Sequence, residues 1–152
     1  MGIKYEDSII VYNRFLKGAL ETEYYIGKRY DGVRAELTQG ANISSSGLES
    51  ANSIRVKIPR DEVANYMPPT PWLNADLEIK LDADTFMTDC IVVIVKKDEL
   101  AINIEDLPTG LVRSDDYDRG FLDYLKKEYG FTYAIKTIDI YQMIPRFELG
   151  GN

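Results

Sequence analysis

Ser53-Ile54-Arg55-Val56-Lys57-Ile58-Pro59 decides the fold. Successive side chains of an extended chain point to opposite faces, so Ile54, Val56 and Ile58 share one face and Arg55 and Lys57 the other. Pro59 closes the run, because proline brings no N–H to a strand ladder. The pattern is that of a strand with one face in a core and the other in water.

Working outward, most of the chain reads in the same way. Ser8 to Asn13 and Glu21 to Ile26 are rich in β-branched and aromatic residues, and Lys17-Gly18-Ala19 separates them as a hairpin-like break. Tyr30-Asp31-Gly32-Val33 carries an Asp-Gly turn signal, from which Val33 to Thr38 is expected to pair back. Leu77, Ile79 and Leu81 alternate and are read as a further strand. Cys90 to Val95 is continuously apolar, the mark of a strand buried on both faces. Phe131 to Tyr141 is the last long strand, and the slip of its apolar phase near Lys136-Thr137 predicts a bulge or bend.

One helix is expected. Phe121, Leu122, Leu125 and Tyr129 form an apolar stripe, with Asp118 as N-cap, Lys126 and Lys127 near the negative end of the dipole and Gly130 at the C-terminal cap. Asp61 to Tyr66 is expected to make a short turn. Several short strands and one or two short helices give a mainly β, α+β chain: a small β-barrel or sandwich with a long loop, in a single domain over residues 1–152.

Composition narrows the chemistry. The 152 residues contain no histidine and one cysteine, Cys90. This removes the usual general base at neutral pH, Ser–His and Cys–His nucleophile pairs, and every histidine-containing zinc site. One cysteine makes no internal disulfide, and Cys90, leading an apolar run, reads as a buried structural thiol. The net charge of −7 disfavours general binding to nucleic-acid backbones. Residues 1–7 lack the apolar core of a signal peptide, and Cys90–Val95 is too short to span a bilayer, so a cytoplasm-like compartment is expected.

The acidic residues cluster in two places. Asp82, Asp84 and Asp89 lack the third oxygen ligand and the glycine of a calcium loop, since Phe86 and Met87 stand there, and a polar turn is the expectation. Asp98 to Asp123 holds eight carboxylates against two arginines. Spread over a linker and a helix start, they read as a solvated face, and nothing beside Asp115 and Asp116 marks the sugar cleft that paired carboxylates need. Ser44-Ser45-Ser46-Gly47 is neither a nucleophile elbow nor a phosphate loop. No catalytic residue, metal site or cofactor is assigned.

Two segments are better read as surfaces. Residues 40–52 form a long, nearly uncharged Gly/Ser/Asn-rich loop, of the kind that is functional or flexible. Met67-Pro68-Pro69-Thr70-Pro71-Trp72 reads as stiff and extended and holds the only tryptophan. Asn42, Ser45, Leu48, Pro69 and Trp72 are therefore the expected partner contacts. Residues 146–152 read as a short final strand and tail that frays.

Four phrases together carry a family resemblance. Gly47-Leu48-Glu49-Ser50-Ala51-Asn52 leads into the opening strand, Val11-Tyr12-Asn13 stands near the start, and Phe131-Thr132-Tyr133-Ala134-Ile135 and Phe147-Glu148-Leu149-Gly150-Gly151 stand near the end. The chain resembles small structural proteins of tailed phages and prophages of Gram-positive bacteria, of the minor capsid or head–tail joining type. That resemblance implies a small β-barrel that assembles as a homo-oligomeric ring between portal or adaptor and tail components, in the virion and in the host cytoplasm during assembly, the chain alone being expected as a monomer or weak oligomer. It implies no membrane contact and at most non-sticky contact with packaged DNA, which an acidic lumen repels. The expectation is thus a non-enzymatic head–tail connector component, with a carbohydrate- or peptide-binding β-module as the alternative.

Overall fold

The computed structural model describes residues 5–38, 41–44, 47–50, 53–97, 100–101, 107–129, 131–141, 143 and 145–152. Its strands are β1 (Asp7–Lys17), β2 (Thr22–Thr38), β3 (Ala41–Ser44), β4 (Gly47–Ser50), β5 (Ser53–Pro59), β6 (Ile91–Lys97), β7 (Leu100–Ala101), β8 (Gly110–Arg113), β9 (Thr132–Tyr141) and β10 (Arg146–Gly151). Its helices are α1 (Pro69–Asn74), α2 (Leu77–Asp82) and α3 (Phe121–Tyr129).

The architecture is mainly β. Hydrogen-bonded neighbours run β1-β2-β5-β10-β9-β6, and β6 also pairs with β1, so six antiparallel strands close on themselves. Closure disposes of the strand edges that an open sheet leaves exposed. The alternation in β5 is as the sequence requires: Ile54, Val56 and Ile58 are buried and Arg55 is exposed. They meet Ile9, Val11, Val92, Ile94, Phe147 and Leu149 inside the barrel. Cys90 is in the same core, fully buried, and burial pushes its thiol up to about 12.

β6 is buried on both faces because a second core lies outside it. Ile10, Tyr12, Val93 and Val95 face Phe121 and Leu125 of α3, and Tyr12 meets Phe121 edge to face at 4.8 Å. The Tyr12 hydroxyl donates to the Pro108 carbonyl at 2.7 Å, and β8 adds to β2 beside it. A third core, with Phe15, Ile26, Trp72, Ala83 and Met87, joins the segment between β5 and β6 to the barrel end. That segment, with α1 and α2, is a helical cap.

Several expectations are corrected. Asp31-Gly32 is not a turn: β2 runs on to Thr38, and Gly32 (φ +66°) takes up a bulge opposite the register shift at Asp7/Ile9. The left-handed conformation that suits a turn glycine also serves a bulge; Val33 still pairs with Asp7 of β1, and Arg34–Thr38 goes to β5 instead of folding back. Leu77–Asp82 is a helix, whose backbone groups are satisfied locally while it crosses the cap; Ile79 and Leu81 stay exposed and Lys80 is the buried residue. Pro69 opens α1 at a position where the missing N–H costs nothing, so the extended conformation stops at Pro68 and Pro71 is helical.

Asp118 is not the cap of α3. The Ser114 hydroxyl accepts from the Phe121 N–H at 3.0 Å, after a left-handed Arg119 and Gly120; Gly130 lies outside the described residues. Residues 146–151 are not a fraying end but a central strand, paired with β5 on one side and β9 on the other. The phase slip in β9 is a bulge, as expected: Gly150 pairs with Thr137 and Gly151 with Ile135, leaving Lys136 as the extra residue. Within 40–52, β3 and β4 form a separate two-stranded antiparallel sheet.

Candidate docking site at the open end of the barrel

The strands of the barrel are of unequal length, and the inequality makes a site. β6 begins at Ile91, opposite Tyr12 on one side and Ala134 on the other. β1 and β9 run on past that point to Lys17 and Tyr141. The last links across are short: Asp89 N–H donates to the Ile135 carbonyl at 2.8 Å, Ile135 N–H to the Cys90 carbonyl at 2.9 Å, and the Asn13 amide to the Thr85 carbonyl at 2.8 Å. Beyond them lies a groove of about 730 Å³. Phe15, Pro69 and Ile138 contribute to its apolar walls, and Phe86 and Met87 line it as well. Leu16, Leu73 and Ile140 also line it and keep 45%, 47% and 46% of their surface exposed. Large aliphatic side chains half open to water along one groove are costly unless something covers them.

Two charged groups at the groove are each paired. Arg14 is held at 2.5 Å by Glu23. Asp89, in the left-handed region at φ +70°, has a carboxylate 75% exposed, with Lys136 at 3.6 Å.

The cap that forms one wall is fastened by two buried polar devices. Asp84 accepts from the Tyr30 hydroxyl at 2.7 Å, the Lys28 ammonium at 2.9 Å and the Asn65 N–H at 3.1 Å. Burial pushes its carboxyl up, but the hydrogen bonds from Lys28, Tyr30 and Asn65 and the charge of Lys28 hold it below the usual aspartate value. Lys28 also donates to the Asp82 carbonyl at 2.7 Å, tying α2 to β2. In α2, the Lys80 ammonium donates to the Leu73 carbonyl at 3.0 Å and to the Ala75 carbonyl, at the C-terminal end of α1. It lies 5.3 Å and 5.5 Å from the ring centroids of Phe15 and Trp72, and burial lowers its pKa.

The expected contact residues separate. Pro69 lines the groove. Trp72 is 1% exposed and its indole N–H donates to the Lys80 carbonyl at 3.3 Å, so it holds the cap and offers no surface to a partner. Asn42 and Leu48 stand on β3 and β4, paired with Glu49 and Ile43, and Ser45 lies outside the described residues. Leu16, Leu73 and Ile140 had no place in the sequence reading. The signal that points to them is the mismatch between the short apolar run at Cys90–Val95 and the longer strands on either side.

The acidic residues do not converge. Asp84 belongs to the cap latch, Asp89 pairs with Lys136, and Asp115 and Asp116 stand on a 3-10 turn before α3. Among the described residues no group of three or more His, Cys, Asp or Glu is placed to hold a metal, and no helix is long and apolar enough to cross a membrane.

Fold and site together define a small closed antiparallel β-barrel with a helical cap and an uncovered apolar groove at one end. The chain belongs to DUF6751, a family of unknown function whose model matches residues 4–151. No curated protein and no solved structure matches it.

Proposed function

We propose that the protein is a non-enzymatic assembly component of a phage or prophage virion, a head–tail connector of the head-completion or stopper type that joins a ring between portal and tail. The observation that carries the reading is the uncovered groove of Leu16, Leu73 and Ile140 at one end of a closed barrel. A barrel whose interior is filled by side chains offers a rigid shape rather than a reaction chamber, and such a groove suits docking. The phage-like phrases support it further: apart from Gly47–Ser50, which forms β4 in the separate small sheet, their strand portions fall on β1, β5, β9 and β10, four of the six barrel strands. A net charge of −7 suits a part that lies near DNA without adhering to it.

The test is mass spectrometry and cryo-electron microscopy of particles induced from a host that carries the gene. The protein is expected in purified particles as a ring at the head–tail junction. Its absence from the particles, or a gene neighbourhood without portal, capsid and tail genes, overturns the proposal. The groove also favours one half of the alternative reading. Its half-exposed wall residues are aliphatic rather than aromatic platforms, which suits a peptide better than a sugar.

A further inference from the structure

β6 pairs antiparallel with both β1 and β9, so those two strands run in the same direction on either side of it. Past the start of β6, Arg14–Lys17 of β1 pairs only with β2, and residues 137–141 of β9 only with β10, among the described residues. Each strand therefore turns one edge, with unclaimed N–H and C=O groups, toward the groove. The place between them is the line that β6 takes, continued backward. Exposed backbone edges beside half-exposed Leu16 and Ile140 are the chemistry that recognises an extended chain: the edges take main-chain hydrogen bonds and the groove takes alternate side chains. A segment of about five residues, ~16 Å long, would match Asn13 to Lys17.

Charge selects among occupants. At the groove Arg14 is paired with Glu23 and Asp89 with Lys136, so the selection falls to the net charge of −7 that the chain as a whole carries. A second copy brings the same negative charge, while a basic segment is attracted.

We propose that the groove is a strand-acceptor site: an extended segment of a partner protein, apolar at alternate positions and flanked by lysine or arginine, enters between β1 and β9 and continues the line of β6. This deepens the docking reading above and rests on it for the biological partner.

The experiment uses the full chain, isotopically labelled, and a short synthetic peptide of alternating valine and threonine with lysine at both ends. Amide resonances of Arg14–Lys17 and residues 137–141 are expected to shift on titration. A strand inserted between two edges uses N–H groups on both sides, so methylating a central peptide nitrogen is expected to weaken binding by about tenfold or more. Replacing the lysines with glutamate is expected to weaken it as well. Leu16→Asp and Ile140→Asp, at exposed positions, are expected to lose the peptide while keeping the wild-type melting temperature. Equal binding of the methylated peptide, shifts confined to other surfaces, or no binding overturns the proposal. So does self-association of the wild type that Ile140→Asp abolishes, because the occupant is then a second copy. Failure here leaves the virion reading to its own particle test, and a peptide that binds a protein absent from particles removes that reading alone.

Discussion

Asp84 shows how much of this fold depends on one side chain. Its carboxylate is buried at the junction of cap and barrel, and Lys28, Tyr30 and Asn65 all spend a donor on it. Replacing a buried charge partner leaves the other uncompensated. The Lys28 side chain keeps 26% of its surface exposed, so water recovers part of that loss. Asp84→Asn is expected to cost on the order of 2 kcal/mol at neutral pH. The pH dependence has a definite sign. The folded-state pKa is lowered, so the folded chain binds fewer protons than the unfolded one, whose aspartates titrate near ~3.9. The stabilisation is complete above that value and is lost as pH falls through the lowered one. Urea unfolding of wild type and Asp84→Asn is therefore expected to differ widely at pH 7 and to converge toward acid; a gap that stays constant contradicts the assignment.

At the scale of elements, β10 explains the paired glycines that looked like a loose tail. A Cβ on Gly151 comes within 2.1 Å of the Ala134 carbonyl oxygen, which is backbone and cannot swing away. On Gly150 it meets the Thr137 hydroxyl oxygen at 2.5 Å, the end of a side chain. Gly151→Ala is expected to destabilise by about 2–3 kcal/mol and Gly150→Ala by less. Thr137→Ala should relieve only the Gly150 variant, which a double-mutant cycle by thermal or chemical melting reads directly. The same strand marks where sequence reading works. β5 and β6 were legible because burial follows a period of two in the one and an unbroken apolar run in the other, and in β9 the Lys136 bulge showed as a slipped apolar phase. α2 was misread because Leu77, Ile79 and Leu81 alternate as a strand does, yet in a six-residue helix two of them simply remain in solvent. The pairing partners of β10 were not legible at all, since an Arg-Phe-Glu-Leu alternation says which face is buried and not which strands lie beside it. The groove is likewise a property of two strands outrunning a third, visible only once their pairing is known.

At the scale of the molecule, closure makes the barrel one cooperative unit, and Cys90 stands where that can be measured. Its thiol is fully buried in the barrel core, next to the β6–β9 seam, and burial pushes its pKa up to about 12. The thiolate is the form that attacks a disulfide reagent, so the folded protein should be inert until the chain opens. The barrel joins β1 to β6, and β5 to β10, across long stretches of sequence. No barrel strand can leave without breaking two ladders, which argues against small openings that expose the core. Labelling of Cys90 by a disulfide reagent under native conditions is therefore expected to report global unfolding, its rate rising with urea along the same slope as equilibrium unfolding. Asp84→Asn should then speed labelling by about 30-fold, the factor that ~2 kcal/mol converts to. If it accelerates labelling far more than its loss of global stability allows, the cap lifts from the barrel by itself, and cap and barrel are two units rather than one.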